Sequence, residues 1–141
     1  MKSDLKIYTS FVSPLTLPEF ISKELLPIFI IRNISNSSLI GKYSDTPIHA
    51  KELSPSNELF REKRDRRITQ EEFEKRYAIE ISEVNLEKQL QKLEQLAQCS
   101  GAKGIVLLGY GSNYENCHRR ILSDILNNSG LLNNKVREII Q

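Results

Sequence analysis

Two apolar runs constrain the fold of this chain more than any other feature. One is Pro27-Ile-Phe-Ile-Ile31, and the other is the interior of the segment Lys103-Gly-Ile-Val-Leu-Leu-Gly-Tyr110. A strand with one face in water alternates apolar and polar residues, whereas a run without alternation is covered on both faces. Strands of this kind belong to parallel sheets with helices on each side. The two runs therefore predict two central strands of a mostly parallel sheet.

Helical patterns alternate with the predicted strands. Lys6 to Ser10 is a short β-prone run and is predicted to be the first strand. Thr69 and Glu72 have the spacing of a capping box, and Gly101 is a typical helix stop. Other helix starts are expected at Thr16–Glu19 and Ser54–Glu58, and the apolar helix faces are Phe73, Tyr77 and Ile81, then Leu86, Leu90, Leu93 and Ala97, then Ile121, Leu122, Ile125 and Leu126. This order predicts an α/β layered fold, Rossmann-like or flavodoxin-like, with a mostly parallel central sheet.

Two segments have little periodicity. Ser44 to Ser56 contains Pro47 and Pro55 and is predicted to be a long loop, which in a small domain is more often functional than not. The tail from Lys135 to Gln141 fits either a last helical turn or an edge strand.

Length and composition exclude several classes of protein. The 141 residues fit one domain, expected to span residues 1–141, and the net charge of +2 does not by itself indicate a nucleic-acid or membrane binder. Two cysteines cannot build a disulfide framework. The most apolar stretch, Leu25 to Ile34, is about half a membrane span and contains Arg32, and Met1 to Ser10 lacks a signal-like apolar core. The protein is expected to be cytoplasmic, without membrane association. It is expected to be a monomer or a homodimer.

The carboxyl ends of parallel strands are where ligands bind in such folds. That rule selects three segments, Tyr8 to Ser13, Arg32 to Ser35 and Tyr110 to Arg119. The candidate ligand-binding residues within them are Tyr8, Ser10, Arg32, Tyr110 and Arg119. For Arg32, an anion-binding role and a solvated position at the sheet edge are equally good readings.

Cys117-His118-Arg119 is the strongest candidate for chemistry. It opens a predicted helix directly after the last central strand and its loop. A helix N-terminus favours anions and lowers the pKa of a thiol, so Cys117 and His118 are the candidate catalytic residues. Arg119 can clamp a phosphate or carboxylate. The phosphatase spacing of Cys, five residues and Arg is absent, because residue 123 is Ser. The alternative is structural: a small buried thiol with neighbours that satisfy loop carbonyls.

Other polar residues carry weaker signals. An isolated His in a loop, such as His49, is more often solvated or packed than catalytic. Cys99, near a helix end, is expected to have a packing role. The two His and two Cys residues do not have the spacing of a zinc site, and no metal or cofactor is expected. The basic run from Arg61 to Arg67 contains Glu62 and Asp65 and no aromatic residue. It reads as a solvated face, with nucleic-acid binding as the less favoured alternative.

Three segments together resemble domain-of-unknown-function family 488, the YeaO-like proteins. They are Lys6-Ile-Tyr-Thr-Ser10, then Lys51-Glu-Leu-Ser-Pro-Ser56 with Phe73 to Tyr77, and finally Val106-Leu-Leu-Gly-Tyr110 with Cys117-His118-Arg119. The resemblance implies a compact α/β fold with a site at Arg32, Lys51, Pro55, Ser56, Tyr77 and the Cys-His-Arg turn. The family usually has Cys and Glu on either side of the strand-end Tyr, where this chain has Gly109 and Gly111. It supplies no settled reaction.

Three functions are therefore in competition. The first is a small enzyme or sensor for a phosphorylated or nucleotide-like anion, in which Arg32, Lys51 and Arg119 hold the ligand, His118 moves a proton and Tyr110 stacks or hydrogen-bonds. The second is a protein-interaction module of phage or mobile-element type. The third is nucleic-acid binding through Arg61 to Arg67. The first is favoured because cationic groups converge at predicted strand ends.

Overall fold

The computed structural model describes residues 2–11, 24–30, 48–109 and 117–139, and every structural statement below concerns these ranges. Four features of the sequence prediction lie outside them: the helix start at Thr16–Glu19, Arg32, Tyr110 and Gly111.

A parallel sheet forms the centre of the described structure. Every paired strand runs parallel to its neighbours, in the spatial order β3-β2-β4-β1-β5. The strands are β1 (Ile7–Phe11), β2 (Leu25–Phe29), β3 (Ile48–His49), β4 (Gly104–Gly109) and β5 (Arg137–Glu138). The predicted α/β layered fold with a mostly parallel sheet is confirmed. Because β4 pairs with both β1 and β2, the ends of these three strands meet at one edge.

Four helices accompany the sheet in the described ranges. They are α1 (Asn57–Arg64), α2 (Gln70–Ser82), α3 (Leu86–Ser100) and α4 (His118–Asn127), and a 3-10 turn spans Lys51–Leu53. Thr69 and Glu72 form the predicted capping box, in which each side chain accepts from the other's backbone N–H. Gly101 ends α3 with a positive φ of 71°, a conformation that glycine adopts without strain. No helix in the described ranges is both long enough and apolar enough for a membrane span.

Burial of β4 on both faces explains its composition. Ile105 and Leu107 belong to a core cluster together with buried residues from all four helices. Val106 and Leu108 point to the other face, since side chains alternate along a strand, and they are equally buried. The predicted helix faces also hold: among the core residues are Tyr77, Ile81, Leu90, Leu93, Ala97, Ile121, Leu122 and Leu126.

Two sequence predictions are corrected by the structure. The predicted loop from Ser44 to Ser56 contains strand β3 and the 3-10 turn. Strand β3 has only two residues, too few to show a period, and its pairing with β2 is a tertiary contact. Cys99 does not have a packing role, because it is exposed. The buried stripe of α3 passes through Leu93 and Ala97, and Cys99 lies two residues further on, off that stripe.

The structure also decides between the two readings of the tail. Residues Arg137–Glu138 form the edge strand β5, which pairs with β1 through Tyr8↔Arg137 and Thr9↔Glu138. A helical turn is thereby excluded at this position.

Candidate functional site

The Cys-His-Arg turn lies at the carboxyl edge of the sheet. Strand β4 ends at Gly109, and the chain re-enters the described structure at Cys117, the N-cap of α4. Cys117 has an extended backbone and its side chain makes no capping hydrogen bond, so the thiol is left for other contacts. Ile30, just beyond the end of β2, donates its backbone N–H to the Leu108 carbonyl at 3.0 Å. This bond brings the Ile30 carbonyl to the same edge.

His118 is fixed between that carbonyl and the thiol. Its Nε2 lies 2.7 Å from the Ile30 carbonyl oxygen, and its Nδ1 lies 3.8 Å from Cys117 Sγ. A carbonyl oxygen only accepts hydrogen bonds, so Nε2 must carry the proton and donate it. In the neutral imidazole Nδ1 is then an acceptor that faces the thiol. The pair is arranged to share one proton between Sγ and Nδ1.

The surroundings of Cys117 favour its thiolate. Burial of the side chain alone raises the pKa of the thiol. The hydrogen bond and charge of His118, followed by the backbone N–H and guanidinium of Arg119, outweigh burial and lower the pKa to about 7. A thiol with this pKa is substantially ionised at neutral pH, which is what a nucleophile requires.

Tyr77 packs against the imidazole of His118. The ring centroids are 5.4 Å apart and the rings are nearly perpendicular. The Tyr77 hydroxyl donates to the Leu53 carbonyl, which anchors the ring to the 3-10 turn. Burial, and then the nearby charges of Cys117 and Glu80, raise the pKa of Tyr77 well above its usual range. Tyr77 therefore stays protonated, and its ring packs against His118 and limits the orientation of the imidazole.

Arg119 is held by a carboxylate from the far end of the chain. Its side chain is 0% exposed, and its Nε lies 3.0 Å from one oxygen of Glu138 while Nη2 lies 3.1 Å from the other. Thr9 donates its hydroxyl to the same Glu138 carboxylate at 2.6 Å. The bidentate pair fixes the guanidinium and balances its charge, so Arg119 positions the turn and stabilises the thiolate beside it.

Gly109 permits the close approach of β4 to this turn. A Cβ atom added at Gly109 would lie 3.0 Å from Cys117 Sγ, 3.5 Å from Cε1 of His118 and 3.9 Å from an Nη of Arg119. A side chain at this position would press on the thiol itself. A Cβ at position 109 would thus lie within 4 Å of all three residues of the Cys-His-Arg turn.

The remaining candidate residues are distributed differently. Ser56 is the N-cap of α1: its hydroxyl accepts from the Leu59 N–H, and its own N–H and hydroxyl donate to Glu80. Pro55 is buried beside it, and Lys51 is exposed in the 3-10 turn. The link from this segment to the Cys-His-Arg turn is Tyr77, whose hydroxyl donates to the Leu53 carbonyl and whose ring packs against His118.

Tyr8 and Ser10 lie on the opposite face of the sheet from Cys117. Their neighbour Thr9 bonds to Glu138 on the α4 side, and side chains alternate along β1. Ser10 is buried, and its hydroxyl has no hydrogen-bond partner among the described residues. The structure therefore brings Tyr77, His118, Cys117 and Arg119 together and leaves Tyr8 and Ser10 apart from them.

Sequence reasoning did not find three participants: Thr9, Glu138 and the Ile30 carbonyl. Glu138 reaches Arg119 only because β5 pairs with β1, whose residues are almost the whole chain length away. A backbone carbonyl carries no residue signal at all. A lone acid in a short β-prone tail was the one hint available, and it has no distinctive spacing.

Two further sequence features have simple structural settings. In the basic run, Arg64 lies 3.2 Å from Asp65 of the same run, whereas Glu62 pairs with Arg76 of α2, outside the run. His49 lies in β3, with its ring 6.4 Å from that of Phe29. Within the described ranges, no group of three or more His, Cys, Asp or Glu side chains is placed to hold a metal ion.

The fold and the turn define an α/β protein with a Cys–His pair at the carboxyl edge of a parallel sheet. Among family models, the one described as the active DUF488-N3 subclade matches residues 30–130. The match covers more than half of the chain, and the protein belongs to the DUF488 family. No curated protein and no solved structure matches the chain.

Proposed function

We propose that the protein is an enzyme that binds a phosphorylated or nucleotide-like anion at the carboxyl edge of the sheet, with Cys117 as nucleophile and His118 as proton carrier. The observation that carries the proposal is the geometry of the pair. His118 Nδ1 lies 3.8 Å from the thiol while Nε2 is held by the Ile30 carbonyl. A nucleophile, a base and a group that orients the base are the three parts of nucleophilic catalysis.

The first step is transfer of the thiol proton from Cys117 Sγ to His118 Nδ1. The resulting imidazolium donates from Nε2 to the Ile30 carbonyl, 2.7 Å away, and that contact stabilises the positive charge. The thiolate is stabilised by the Arg119 backbone N–H and by the N-terminus of α4.

The thiolate then attacks an electrophilic carbon of the ligand. A sulfur–carbon bond forms, the bond from that carbon to the leaving group breaks, and the leaving group takes the proton from Nδ1. Water hydrolyses the covalent adduct, with His118 accepting the proton of the water and returning it to Cys117. Carbon is favoured over phosphorus because Ser123 occupies the place of the Arg that cradles phosphate in thiol phosphatases.

The preference for an anion rests on the positive end of α4 and on Lys51, because the buried guanidinium of Arg119 is already held by the Glu138 carboxylate. Lys51 is exposed next to the end of β3, at the same edge of the sheet. Arg32 and Tyr110, which the sequence analysis assigns to ligand binding, flank β2 and β4 in the chain and complete the proposed set.

Alkylation of Cys117 by iodoacetamide in a Cys99→Ser background tests the proposal, since a single thiol then remains. We expect the rate to rise through a pH of about 7. In His118→Gln the midpoint should move to higher pH, because burial remains while the hydrogen bond and the charge are lost.

Ligand protection supplies the second readout. In a panel of nucleotides and sugar phosphates, some compounds should slow the alkylation of Cys117 and stabilise the protein against heat. The Cys117→Ser variant should still bind these compounds but should lose turnover. Lys92→Gln on α3 is the matched surface control. An unchanged pH profile in His118→Gln, or the absence of protection by every phosphorylated compound, would refute the proposal.

A further inference from the structure

A basic cleft lies beside the paired strands β1 and β5, on the face of the sheet opposite Cys117. It has a volume of about 210 Å³ and is lined by Lys6, Ile7, Tyr8, Asn134, Lys135 and Arg137. Three of these six residues are cations, and none carries a carboxylate.

The register of the two strands produces this clustering. Tyr8 pairs with Arg137, so their side chains share one face, and Lys6 and Lys135 precede them by two residues each. The alternate positions point the other way: Val136 enters the core and Glu138 binds Arg119. Alternation along two neighbouring segments thus sorts the cations to one face and the acid to the other.

The positive charge of the cleft is not compensated within the described structure. No ion pair among the described residues involves Lys6, Lys135 or Arg137. The two nearest acids in the sequence are engaged elsewhere, because Glu138 holds Arg119, and the Asp4 carboxylate accepts from the Asn133 amide at 2.5 Å. Three like charges within one small cleft repel each other, and an anion relieves that repulsion.

We propose that this cleft binds a diphosphate group of a small phosphorylated molecule. Its volume is below the range of roughly 300–1,000 Å³ typical of sites that enclose a whole drug-sized ligand, so it fits a compact anionic group. Three cations match the charge of about −3 that a diphosphate carries near neutral pH. Arg137 offers the planar donor fork that suits phosphate oxygens, and the Tyr8 hydroxyl is a further donor. The site is separate from the thiol of the proposed function, and each can fail without the other.

Calorimetric titration of the full chain with inorganic pyrophosphate tests this assignment. We expect saturable binding at physiological ionic strength, weakened at least tenfold in Arg137→Gln. Binding should be unchanged in Lys92→Gln, which removes the same charge from an exposed position on α3. If Arg137→Gln does not fold, the Lys6→Gln, Lys135→Gln double variant applies the same criterion with β5 intact.

Two further titrants separate the sources of the group. A nucleoside diphosphate that binds more tightly than pyrophosphate would support a phosphate ester as the ligand, while equal affinities would support the free diphosphate. The proposal is overturned if pyrophosphate does not bind, if Lys92→Gln weakens binding as much as Arg137→Gln, or if only a single-stranded oligonucleotide binds in an Arg137-dependent way.

Discussion

At the scale of single residues, the site depends on a buried thiol whose ionisation is set by its neighbours. Cys117 is only 6% exposed, and burial alone would keep it neutral. His118 reverses that tendency because the Ile30 carbonyl fixes its tautomer and Tyr77 fixes its ring plane. The chemistry of Cys117 is therefore a property of at least four residues.

Stability should depend on pH through this thiol. The pKa of Cys117 is about 7 in the folded protein, below the value of about 8.5 expected for an unfolded thiol. Between these two pH values the unfolded state binds more protons than the folded state, so the free energy of unfolding should rise with pH. The stabilisation is present in full above about pH 8.5 and is lost as the pH falls to about 7.

Urea unfolding of the Cys99→Ser protein across this pH range, compared with the Cys99→Ser, Cys117→Ser double variant, measures the effect. The difference between the two proteins should grow from about pH 7 to about pH 8.5 and then level off. A difference that is constant with pH would show that Cys117 titrates alike in both states.

At the scale of elements, the pair Arg119–Glu138 joins the first turn of α4 to the edge strand β5. Strand β5 has only two paired residues, so backbone hydrogen bonds alone hold it weakly. The buried bidentate contact and the Thr9 hydroxyl add directional bonds to that edge. The tail is thereby coupled to the Cys-His-Arg turn.

Removal of one partner should be costly, because it leaves a buried charge uncompensated. Arg119→Met and Glu138→Gln are each expected to lower the free energy of unfolding by about 3–5 kcal/mol. The double variant should lose much less than the sum, since it leaves neither charge behind. The exposed pair Lys103–Glu24 is the control, and Lys103→Met should cost under about 1 kcal/mol. Additive losses in the buried cycle would contradict the coupling.

At the scale of the whole molecule, β4 is the central strand of the sheet. It lies between β1 and β2 and is buried along its entire length, and glycines occupy both of its ends. An added Cβ would lie 2.7 Å from the Lys6 carbonyl at Gly104 and 3.0 Å from Cys117 Sγ at Gly109. One glycine serves packing within the sheet, and the other makes room for the thiol.

The two glycines provide a matched test of that division. Gly104→Ala and Gly109→Ala should both destabilise the protein, by roughly 1–3 kcal/mol, because each forces a close contact in a packed region. Only Gly109→Ala should also change the pH midpoint of Cys117 alkylation, because only this Cβ displaces the sulfur. Equal midpoints in the two variants would show that Gly109 has no part in the thiol site.

Much of this architecture could be predicted from local patterns. The apolar run that became β4, the Thr69–Glu72 capping box and the stripe through Leu90, Leu93 and Ala97 each report a regular period or a cap. Strand β3 could not be predicted with the same tools. A two-residue strand has no period, whereas the predicted stripe through Leu93 and Ala97 already leaves Cys99 off the buried face of its helix.

The candidate site follows the same division. The sequence by itself determined that Cys117, His118 and Arg119 open a helix after a buried strand, because helix caps and apolar runs are local. Only the tertiary structure decided which groups meet them: the Ile30 carbonyl beside His118, Gly109 beside the thiol and Glu138 against Arg119. Such contacts join segments far apart in the chain, and their partners are selected by the order of the strands in the sheet, which a local residue pattern does not specify.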